Sequence, residues 1–333
     1  MSALAAEEER DIARLRELAH AVGAAMRQVV VGQDKAVDLM LVGLMAGGHV
    51  LLEGPPGVGK TLMVRSLAKA AGLSFSRVQF TPDLMPADIT GASVLVPDAE
   101  GRTRLEFRKG PIFSQLLLAD EINRATPRTQ SALLEAMQEG TVSAGGATLE
   151  LPRPFFVLAT QNPIEMEGTY ALPEAQIDRF LFRIDVSYPS ETALAEILDV
   201  TTGARWGEPD EAASAQDILA LQDLVRTMPI AASLQAAVAR FCIATQPVDG
   251  KADSDVARYV RFGISPRGAQ ALVLAAKAHA FMHGRNHVAI EDLRAIMLPV
   301  TRHRVHGNFE SRAAGIDIEA LLLRLFDAIM DKA

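Results

Sequence analysis

A glycine-rich stretch at residues 54–61 has the residue types that bind phosphate. It reads Gly-Pro-Pro-Gly-Val-Gly-Lys-Thr, which fits the spacing Gly-x4-Gly-Lys-Thr. The glycines allow a tight turn whose backbone N–H groups can approach phosphate oxygens. Lys60 adds a positive charge, and Thr61 offers a hydroxyl to Mg²⁺. The pattern predicts a nucleoside triphosphate site, and a chance match in a glycine-rich turn is the alternative. The residues predicted to contact the nucleotide here are Gly54, Pro55, Pro56, Gly57, Val58, Gly59, Lys60, Thr61 and Leu62.

Two acidic residues follow an apolar run. Residues 116–119 read Leu-Leu-Leu-Ala, and Asp120 and Glu121 come directly after them. Such a run predicts a fully buried strand, and open α/β sheets bind ligands at the carboxyl ends of their strands. We therefore predict that Asp120 holds Mg²⁺ through its water shell and that Glu121 is the base for an attacking water. The alternative is a solvated strand end.

A polar amide ends a second buried run. Residues 155–160 read Phe-Phe-Val-Leu-Ala-Thr, and Gln-Asn-Pro follows at 161–163. We predict that Asn162 lies between the γ-phosphate and the attacking water. The alternative is an Asx-turn, which is favoured before proline.

Two arginines are candidates for contact with phosphate. Arg179 lies near the end of a short helix predicted to begin at Pro173. There its positive charge could interact with the helix dipole or with the nucleotide of a neighbouring chain. In a second helix Ser265 is the predicted N-cap and Pro266 the first residue. Arg267 then falls in the first turn, where the dipole disfavours a positive charge, and this favours a functional role over a surface arginine.

Short apolar runs and helical periodicities place these side chains on an α/β unit. Strands are predicted at 50–52, 76–80, 116–121, 155–160 and 182–186, and helices at 6–28, 35–45, 60–71 and 127–139. Segments rich in Pro and Gly at 81–110 and 141–153 contain short alternating runs, which predict β-hairpins inserted into this pattern. For the first segment, an exposed decoration without function is the alternative.

Beyond Pro189 the pattern is helical. Helices are predicted at 191–200, 215–228, 231–244, 266–281, 290–297 and 316–330, and no strand is indicated with similar strength. We therefore predict two domains, an α/β core at 1–189 and a smaller all-α domain at 190–333.

Composition narrows the class of protein. The 333 residues are 49% hydrophobic and 22% charged, with a net charge of −8, which disfavours a general nucleic-acid binder. The single cysteine, Cys242, allows no disulfide within the chain. The N-terminal segment is charged and predicts no signal peptide, and the apolar run at 36–52 is too interrupted to span a bilayer. These features predict a cytoplasmic protein.

Taken together, the motifs resemble the AAA+ ATPase superfamily and, within it, most closely the MoxR family. Residues 54–61 match Walker A, and 116–121 match Walker B, followed by Ile-Asn-Arg-Ala at 122–125 as in MoxR proteins. The stretch Leu-Pro-Glu-Ala-Gln-Ile-Asp-Arg-Phe at 172–180 is similar to a family signature, and Gly-Ile-Ser-Pro-Arg at 263–267 matches a sensor-2 motif. Walker A and B are shared widely, whereas Glu-Ile-Asn-Arg-Ala and Leu-Pro-Glu-Ala-Gln are specific to the family.

The resemblance implies roles for particular residues. Asn162 corresponds to sensor 1, and Arg267 is implied to sense the γ-phosphate in its own subunit. Arg179 corresponds to an arginine finger that acts on the next subunit's nucleotide, with Arg124 and Arg128 as alternatives. The adenine side is implied to be formed by Val31, Gly32 and Gln33.

The resemblance also implies an architecture and partners. The implied fold is an AAA+ P-loop parallel-sheet αβα core with β-hairpin inserts, followed by a smaller all-α lid. The implied assembly is a homo-oligomeric ring, commonly a hexamer, with ATP and Mg²⁺ between subunits. MoxR-type ATPases are chaperone-like and usually act with a von Willebrand factor type A domain protein to mature client enzymes or insert metal cofactors. Client choice is then expected to lie in the partner and the hairpins.

Three other functions fit parts of the pattern. A magnesium-chelatase-like ATPase subunit has similar motifs and would stimulate metal insertion into a tetrapyrrole. A nucleotide-dependent scaffold without hydrolysis is disfavoured by Asp120, Glu121 and Asn162, because a scaffold needs no catalytic base. A DNA-translocating motor is disfavoured by the net charge of −8, and salt-sensitive DNA binding that stimulates the ATPase would support it.

Overall fold

The computed structural model describes residues 3–97, 103–144, 147–162, 169–202, 207–247 and 253–332. In chain order the strands are β1 (Val50–Glu53), β2 (Phe75–Gln79), β3 (Gly91–Pro97), β4 (Thr103–Lys109), β5 (Leu116–Asp120), β6 (Thr141–Ala144), β7 (Ala147–Glu150), β8 (Phe156–Gln161), β9 (Phe182–Asp185), β10 (Val260–Phe262) and β11 (His306–Gly307). The α-helices are α1 (Ala3–Arg27), α2 (Asp34–Ala46), α3 (Lys60–Ala70), α4 (Pro86–Thr90), α5 (Pro127–Glu139), α6 (Glu174–Ile177), α7 (Glu191–Thr202), α8 (Ala215–Thr227), α9 (Ala232–Ala244), α10 (Ser254–Tyr259), α11 (Pro266–Met282), α12 (Ile290–Thr301), α13 (Phe309–Ala313) and α14 (Ile318–Met330).

A parallel sheet of five strands, in the order β2-β5-β8-β1-β9, forms the centre of the α/β part. All five strands predicted from sequence are confirmed. Every residue of β5 is buried, as expected for a strand of a parallel sheet with helices on both faces. Because the strands run parallel, their carboxyl ends meet at one edge, where Asp120 pairs in register with Gln79.

Alternate side chains of the strands enter two apolar clusters on opposite faces of the sheet. Leu118 belongs to the larger cluster, which also contains buried residues of α1, α2 and α3. Its neighbour Leu117 belongs to the smaller cluster, which contains Leu133 and Leu134 of α5. The helices predicted for this half are therefore confirmed and cover both faces of the sheet.

Both predicted hairpins are present. β3 pairs antiparallel with β4, and β6 pairs antiparallel with β7. The hairpin turns at 98–102 and 145–146 lie outside the described residues. The short helix α4 before the first hairpin was not predicted, because five residues are too few for a helical period to show in the sequence.

The second half of the chain is helical, with one correction. The six predicted helices correspond to α7, α8, α9, α11, α12 and α14. The sequence shows no strand signal of similar strength here, but β10 and β11 form a small antiparallel pair. These strands have three and two residues, which is too short for an alternating pattern to be detected. The short helices α10 and α13 were missed for the same reason.

The two halves are in direct contact. Helices α8 and α11 pack against α2, and the larger apolar cluster contains residues from all three. At the end of α12, Arg302 Nη1 lies 2.5 Å from Asp185 Oδ2 at the end of β9. The helical half is thus joined to the sheet by apolar packing and by ion pairs.

Within the described ranges, no single helix is both long and apolar enough to cross a membrane. One bent pair, α8 and α9 at 92°, meets the length and composition criteria only jointly. Both helices contribute buried side chains, such as Leu221 and Phe241, to the larger cluster.

His49, directly before β1, predicts a pH dependence of stability. Its Nδ1 accepts the Val157 N–H at 3.0 Å, and its Nε2 lies 3.0 Å from the Met137 carbonyl oxygen. Burial lowers the pKa of His49 from 6.5 to about 4, and the hydrogen bond to Met137 opposes this only in part. Below pH 6.5 the unfolded chain therefore takes up a proton that the folded chain does not. This difference should reduce the free energy of unfolding by about 2 kcal/mol between pH 7.5 and pH 5.

Urea unfolding at these two pH values measures the effect. A His49→Gln variant can keep both hydrogen bonds and should show a smaller loss of stability on acidification than the wild type. A variant of the exposed His20, His20→Gln, should keep the wild-type pH dependence. An unchanged pH dependence in His49→Gln would contradict the prediction.

Candidate nucleotide-binding site

The glycine-rich loop lies between β1 and α3, at the carboxyl edge of the sheet. Gly57 and Gly59 have φ values of 82° and 86°, in the left-handed region that favours glycine. Gly59 is the N-cap of α3, so the first N–H groups of the helix are available beside the loop. Lys60 Nζ donates to the carbonyl oxygens of Gly54 at 2.5 Å and Pro55 at 3.3 Å. The lysine charge and the helix N-terminus together suit an anion.

A cavity of about 360 Å³ lies at this edge, and we call it the polar cavity because most of its lining residues are polar. Asp120 and Asn162 in its wall are buried, with 8% and 5% of their surface exposed. The structure thus brings the predicted phosphate loop, both acids and the amide around one space. The lining residues are Pro56, Gly57, Gly59, Lys60, Thr61, Asp120, Glu121, Thr160 and Asn162.

Asp120 is hydrogen-bonded through both carboxylate oxygens. Oδ1 accepts the Thr160 hydroxyl at 2.6 Å. Oδ2 accepts Nη2 of Arg77 at 2.7 Å and its Nε at 3.1 Å. The guanidinium of Arg77 is therefore hydrogen-bonded to Oδ2 of Asp120, and a cation bound at this oxygen would compete with Arg77 for it.

Glu121 has an unusual backbone conformation. Its φ of 56° is the only positive value for a non-glycine residue in the described part of the chain. The left-handed conformation costs about 1–2 kcal/mol, and a hydrogen bond from the Glu121 N–H to Thr160 Oγ1 at 2.8 Å helps to hold it. Oε2 of Glu121 accepts from Gln79 Nε2 at 2.7 Å and from Arg124 Nη1 at 2.8 Å. The carboxylate is thus oriented by two donors.

A further carboxylate, Glu53, ends β1 next to the loop. Its Oε2 lies 3.0 Å from Arg183 Nε. Burial raises the pKa of Glu53, while the charge of Arg183 lowers it and that of Asp185 raises it again. The charge of Lys60 in the loop also acts to lower this pKa.

A second cavity, of about 160 Å³ and mainly apolar, lies on the other side of the loop. It shares Gly57 and Gly59 with the polar cavity. Val31 and Gln33 line it as predicted for the adenine side, whereas Gly32 does not. The other lining residues are Val29, Val30, Val58, Leu62, Met63, Pro189, Leu194, Ile197, Val200 and Thr201. An apolar space beside a phosphate loop suits a nucleotide base.

The predicted arginines do not reach either cavity. Arg179 is half-buried, and its Nε has no hydrogen-bond partner among the described residues. Nη1 of Arg267 lies 3.8 Å from Asp178 Oδ2. The two alternative candidates for the arginine finger differ from each other. Arg124 pairs with Glu121 of its own chain, and Arg128 is exposed. The structure therefore places Arg179 outside both cavities of its own chain.

Sequence reasoning missed three polar residues at the site. Arg77 and Gln79 alternate with the buried Val78 in β2, so both point to one face. That alternation was visible in the sequence. The pairing of β2 with β5 was not, and it is this pairing that brings Arg77 and Gln79 to Asp120 and Glu121. Thr160 is the residue of β8 whose hydroxyl joins the two acids, and in the sequence it reads as part of a buried strand.

Two family profiles match the sequence. The profile described as "ATPase family associated with various cellular activities (AAA)" matches residues 49–182. The profile described as "AAA lid domain" matches residues 252–322. The first match contains the phosphate loop and both acids, and the second contains Arg267.

Relatives of known name cover most of the chain. Chaperone MoxR1 of Mycobacterium tuberculosis is 43% identical over 304 residues, which are 91% of this chain and 80% of that protein. Protein MoxR of Paracoccus denitrificans is 36% identical over 326 residues, with 92% of each chain covered. A solved structure from Cytophaga hutchinsonii, described as a candidate ATPase, superposes with a TM-score of 0.90 at 37% identity and covers 100% of this chain and 99% of that one.

Proposed function

Because this chain belongs to the MoxR family of AAA+ ATPases, we propose that it binds ATP with Mg²⁺ and hydrolyses it between the subunits of a ring. The observation that carries the proposal is the junction of the two cavities at Gly57 and Gly59. The apolar cavity suits the adenine and the polar cavity suits the phosphates, with the start of α3 between them.

The residues of the polar cavity fit a magnesium nucleotide. Thr61 and Asp120 line the same space and offer a hydroxyl and a carboxylate oxygen, which are the hard ligands that Mg²⁺ prefers. When bound, Mg²⁺ neutralises charge on the phosphates. Lys60 contacts the β- and γ-phosphates after its Nζ leaves the carbonyl oxygens of Gly54 and Pro55.

The hydrolytic step is assigned to Glu121 and Asn162. Glu121 accepts the proton of the attacking water, and Asn162 orients that water against the γ-phosphate. Both line the polar cavity, and the left-handed backbone of Glu121 is the kind of strain that accumulates at functional sites. Gln79 of β2 and Arg124 of the turn after β5 hold the carboxylate of Glu121.

We propose that Arg179 serves the neighbouring subunit in a homo-oligomeric ring, most simply a hexamer. Its Nε has no partner in the described part of its own chain, and the residue lies outside its own phosphate cavity. A second copy that places its γ-phosphate beside the guanidinium of Arg179 would give this charge an anionic partner. Arg267 serves its own subunit, which requires its guanidinium to move away from Asp178.

We place the boundary between an α/β core at 1–189 and a helical lid at 190–333. The sheet ends with β9, and the next element, α7, belongs to the helical half. The two profile matches fall on opposite sides of this point. The cytoplasm stays the predicted location.

The work of the ring is proposed to be chaperone-like: the remodelling or maturation of protein clients, including insertion of metal cofactors, with a von Willebrand factor type A domain protein as partner. The name of the Mycobacterium relative supports the chaperone part. The first hairpin offers a contact for proteins, because Leu95 and Leu105 are cross-strand neighbours with 71% and 66% of their surface exposed.

Replacement of Lys60 by alanine tests the proposed site. The variant loses the charge that contacts the phosphates, and two charge-assisted hydrogen bonds of this kind contribute about 3 kcal/mol or more. We therefore expect the Kd for ATP to rise about 100-fold or more. Isothermal titration or a fluorescent ATP analogue measures it.

The matched control is Lys69→Ala, which removes the exposed lysine at the other end of α3. It should bind ATP with wild-type affinity. Wild-type affinity in Lys60→Ala as well would refute the role of the loop, and loss of affinity in both variants would point to damage to α3 instead.

A further inference from the structure

Arg304, in the turn after α12, is a buried arginine whose contacts converge on one short segment. Only 2% of its side chain is exposed. Nε donates to Asp178 Oδ1 at 2.8 Å, and Nη2 donates to the carbonyl oxygens of Phe180 at 2.6 Å and Asp178 at 3.1 Å. Nη1 donates to the Leu181 carbonyl oxygen at 3.1 Å and to Val300 within its own helical end. The guanidinium thus holds the backbone on both sides of residue 179.

Asp178 connects this segment to a second element of the helical half. Its carboxylate accepts the hydroxyl of Ser265, the N-cap of α11, at 2.9 and 3.0 Å. The same carboxylate lies 3.8 Å from Nη1 of Arg267, in the first turn of α11. Asp178 therefore receives Arg304 from the end of α12 and two residues from the start of α11.

Arg179 lies in the middle of this arrangement without being held itself. Its Nε has no hydrogen-bond partner in the described part of the chain. The position of its side chain therefore depends on the backbone of residues 178–181. Arg304 contacts that backbone from the helical half, and the backbone N–H groups donate to Gln176, Ile177 and His49 in the α/β half. A displacement of α11 or α12 relative to the sheet must pull on this segment.

We propose that Arg304, Asp178 and Ser265 form a latch that transmits movement of the helical lid to Arg179. The inference rests on the proposed role of Arg179 at the neighbouring subunit's nucleotide. When Arg267 leaves Asp178 for its own subunit's phosphate, α11 shifts with it, and Ser265 and Arg304 carry the shift to residues 178–181. The state of one site thereby sets the arginine offered to the next. Asp178 and Arg304 are positioning residues, since neither lines the phosphate cavity.

Complementation in mixed rings tests this directly. Asp178→Asn should keep the shape of the segment but lose the charge that holds Arg304, and its homogeneous ring should turn over ATP at least about tenfold more slowly with unchanged ATP affinity. Glu121→Gln subunits retain an intact latch and an intact Arg179 but lack the proposed base. In a random equal mixture, about a quarter of all sites combine an intact Glu121 with an intact latch in the neighbour. The mixture should therefore reach about a quarter of the wild-type rate, above either parent.

Three comparisons make the outcomes distinct. A mixture whose rate equals the mean of its parents, or an Asp178→Asn ring with the wild-type rate, would overturn the latch. The mixture of Arg179→Ala with Glu121→Gln tests the underlying role of Arg179. If the ATPase rate recovers in this mixture but not in the mixture of Asp178→Asn with Glu121→Gln, Arg179 keeps its role and only the latch is refuted. Arg304→Lys keeps the charge but loses the planar set of donors, so it should behave as Asp178→Asn does. It replaces Asp178→Asn in the mixing experiment if Asp178→Asn fails to assemble.

The matched control breaks another ion pair between the same two halves. Asp185→Asn removes the contact with Arg302, which does not involve residues 178–181. Its ring should hydrolyse ATP at a rate within about twofold of the wild type. If Asp185→Asn lowers the ATPase rate as much as Asp178→Asn does, any weakening of the contact between the two halves slows the ring. The latch would then be refuted as a specific device.

Discussion

Replacement of Arg179 by alanine is expected to lower the ATPase rate of the assembled ring by about 10³–10⁵-fold, the range found for arginines that contact a transferring phosphoryl group. ATP affinity should change little, because Arg179 lies outside the phosphate cavity of its own subunit. The physical reason is the loss of a positive charge that stabilises negative charge in the transition state. The ATPase rate per subunit, measured over a range of protein concentrations, gives the effect.

The concentration series also tests whether sites are shared. If the arginine comes from the neighbour, the wild-type rate per subunit rises as the ring assembles, and added Arg179→Ala subunits lower it. A rate that is independent of concentration and of mixing means either a self-sufficient monomer or a ring too stable to exchange subunits, and mass measurements on the same samples separate the two. A monomer with full activity would contradict the prediction.

Two neighbouring arginines provide the comparison. Arg128→Ala removes an exposed arginine at the start of α5 and should have a much smaller effect if Arg179 is the arginine that acts in trans. Arg124 pairs with Glu121 of its own chain, so Arg124→Ala should impair its own subunit's site and give no recovery when mixed with Glu121→Gln. A larger loss in Arg128→Ala than in Arg179→Ala would reassign the role.

The parts of the fold that sequence predicted well have strong local signals. β5 is a continuous apolar run followed by acids, and α11 begins with Ser265 and Pro266, which cap and start a helix whatever surrounds them. The glycine spacing of the phosphate loop is equally local, because Gly57 and Gly59 require backbone conformations that other residues rarely adopt. The grouping of these motifs around one cavity followed from a single general rule, that parallel strands place their carboxyl ends at one edge.

The parts that sequence missed depend on distant contacts. Arg77 and Gln79 become part of the site only because β2 is the neighbour of β5, and strand order is not encoded in either segment. Arg304 is 126 residues from Asp178, and an arginine after a helix reads as an ordinary surface residue until its burial is known. The pair β10 and β11 escaped because so few residues form it.

The same distinction explains how Arg267 was interpreted. Its place in the first turn of α11 was correctly expected, and its guanidinium lies near Asp178 of the α/β half. The phosphate that it is proposed to contact lies in another cavity, so the role requires a change in the lid. Local sequence fixes where a side chain is attached, while the packing of α11 against the sheet decides what it can reach.

Replacement of Glu121 by glutamine should separate binding from hydrolysis. Glutamine has the same shape and still offers an oxygen to Gln79 and Arg124, so the cavity and the ATP affinity should be retained. It cannot accept the proton of the attacking water, and loss of a general base reduces rates by about 10²–10⁴-fold. We therefore expect wild-type ATP binding, and slower turnover that corresponds to an activation free energy higher by about 3–5 kcal/mol. Single-turnover hydrolysis together with a binding titration measures both quantities on one sample.

The control for Glu121→Gln is Glu139→Gln, an exposed glutamate at the end of α5, which should leave both quantities unchanged. Wild-type turnover in Glu121→Gln would remove Glu121 as the base and leave the strained backbone at φ 56° without a catalytic explanation. Loss of ATP binding instead would mean that the carboxylate holds the cavity open through Gln79 and Arg124. Retained binding with lost turnover is the combination expected for a base, and it would provide the hydrolysis-deficient subunit that the mixed-ring experiments require.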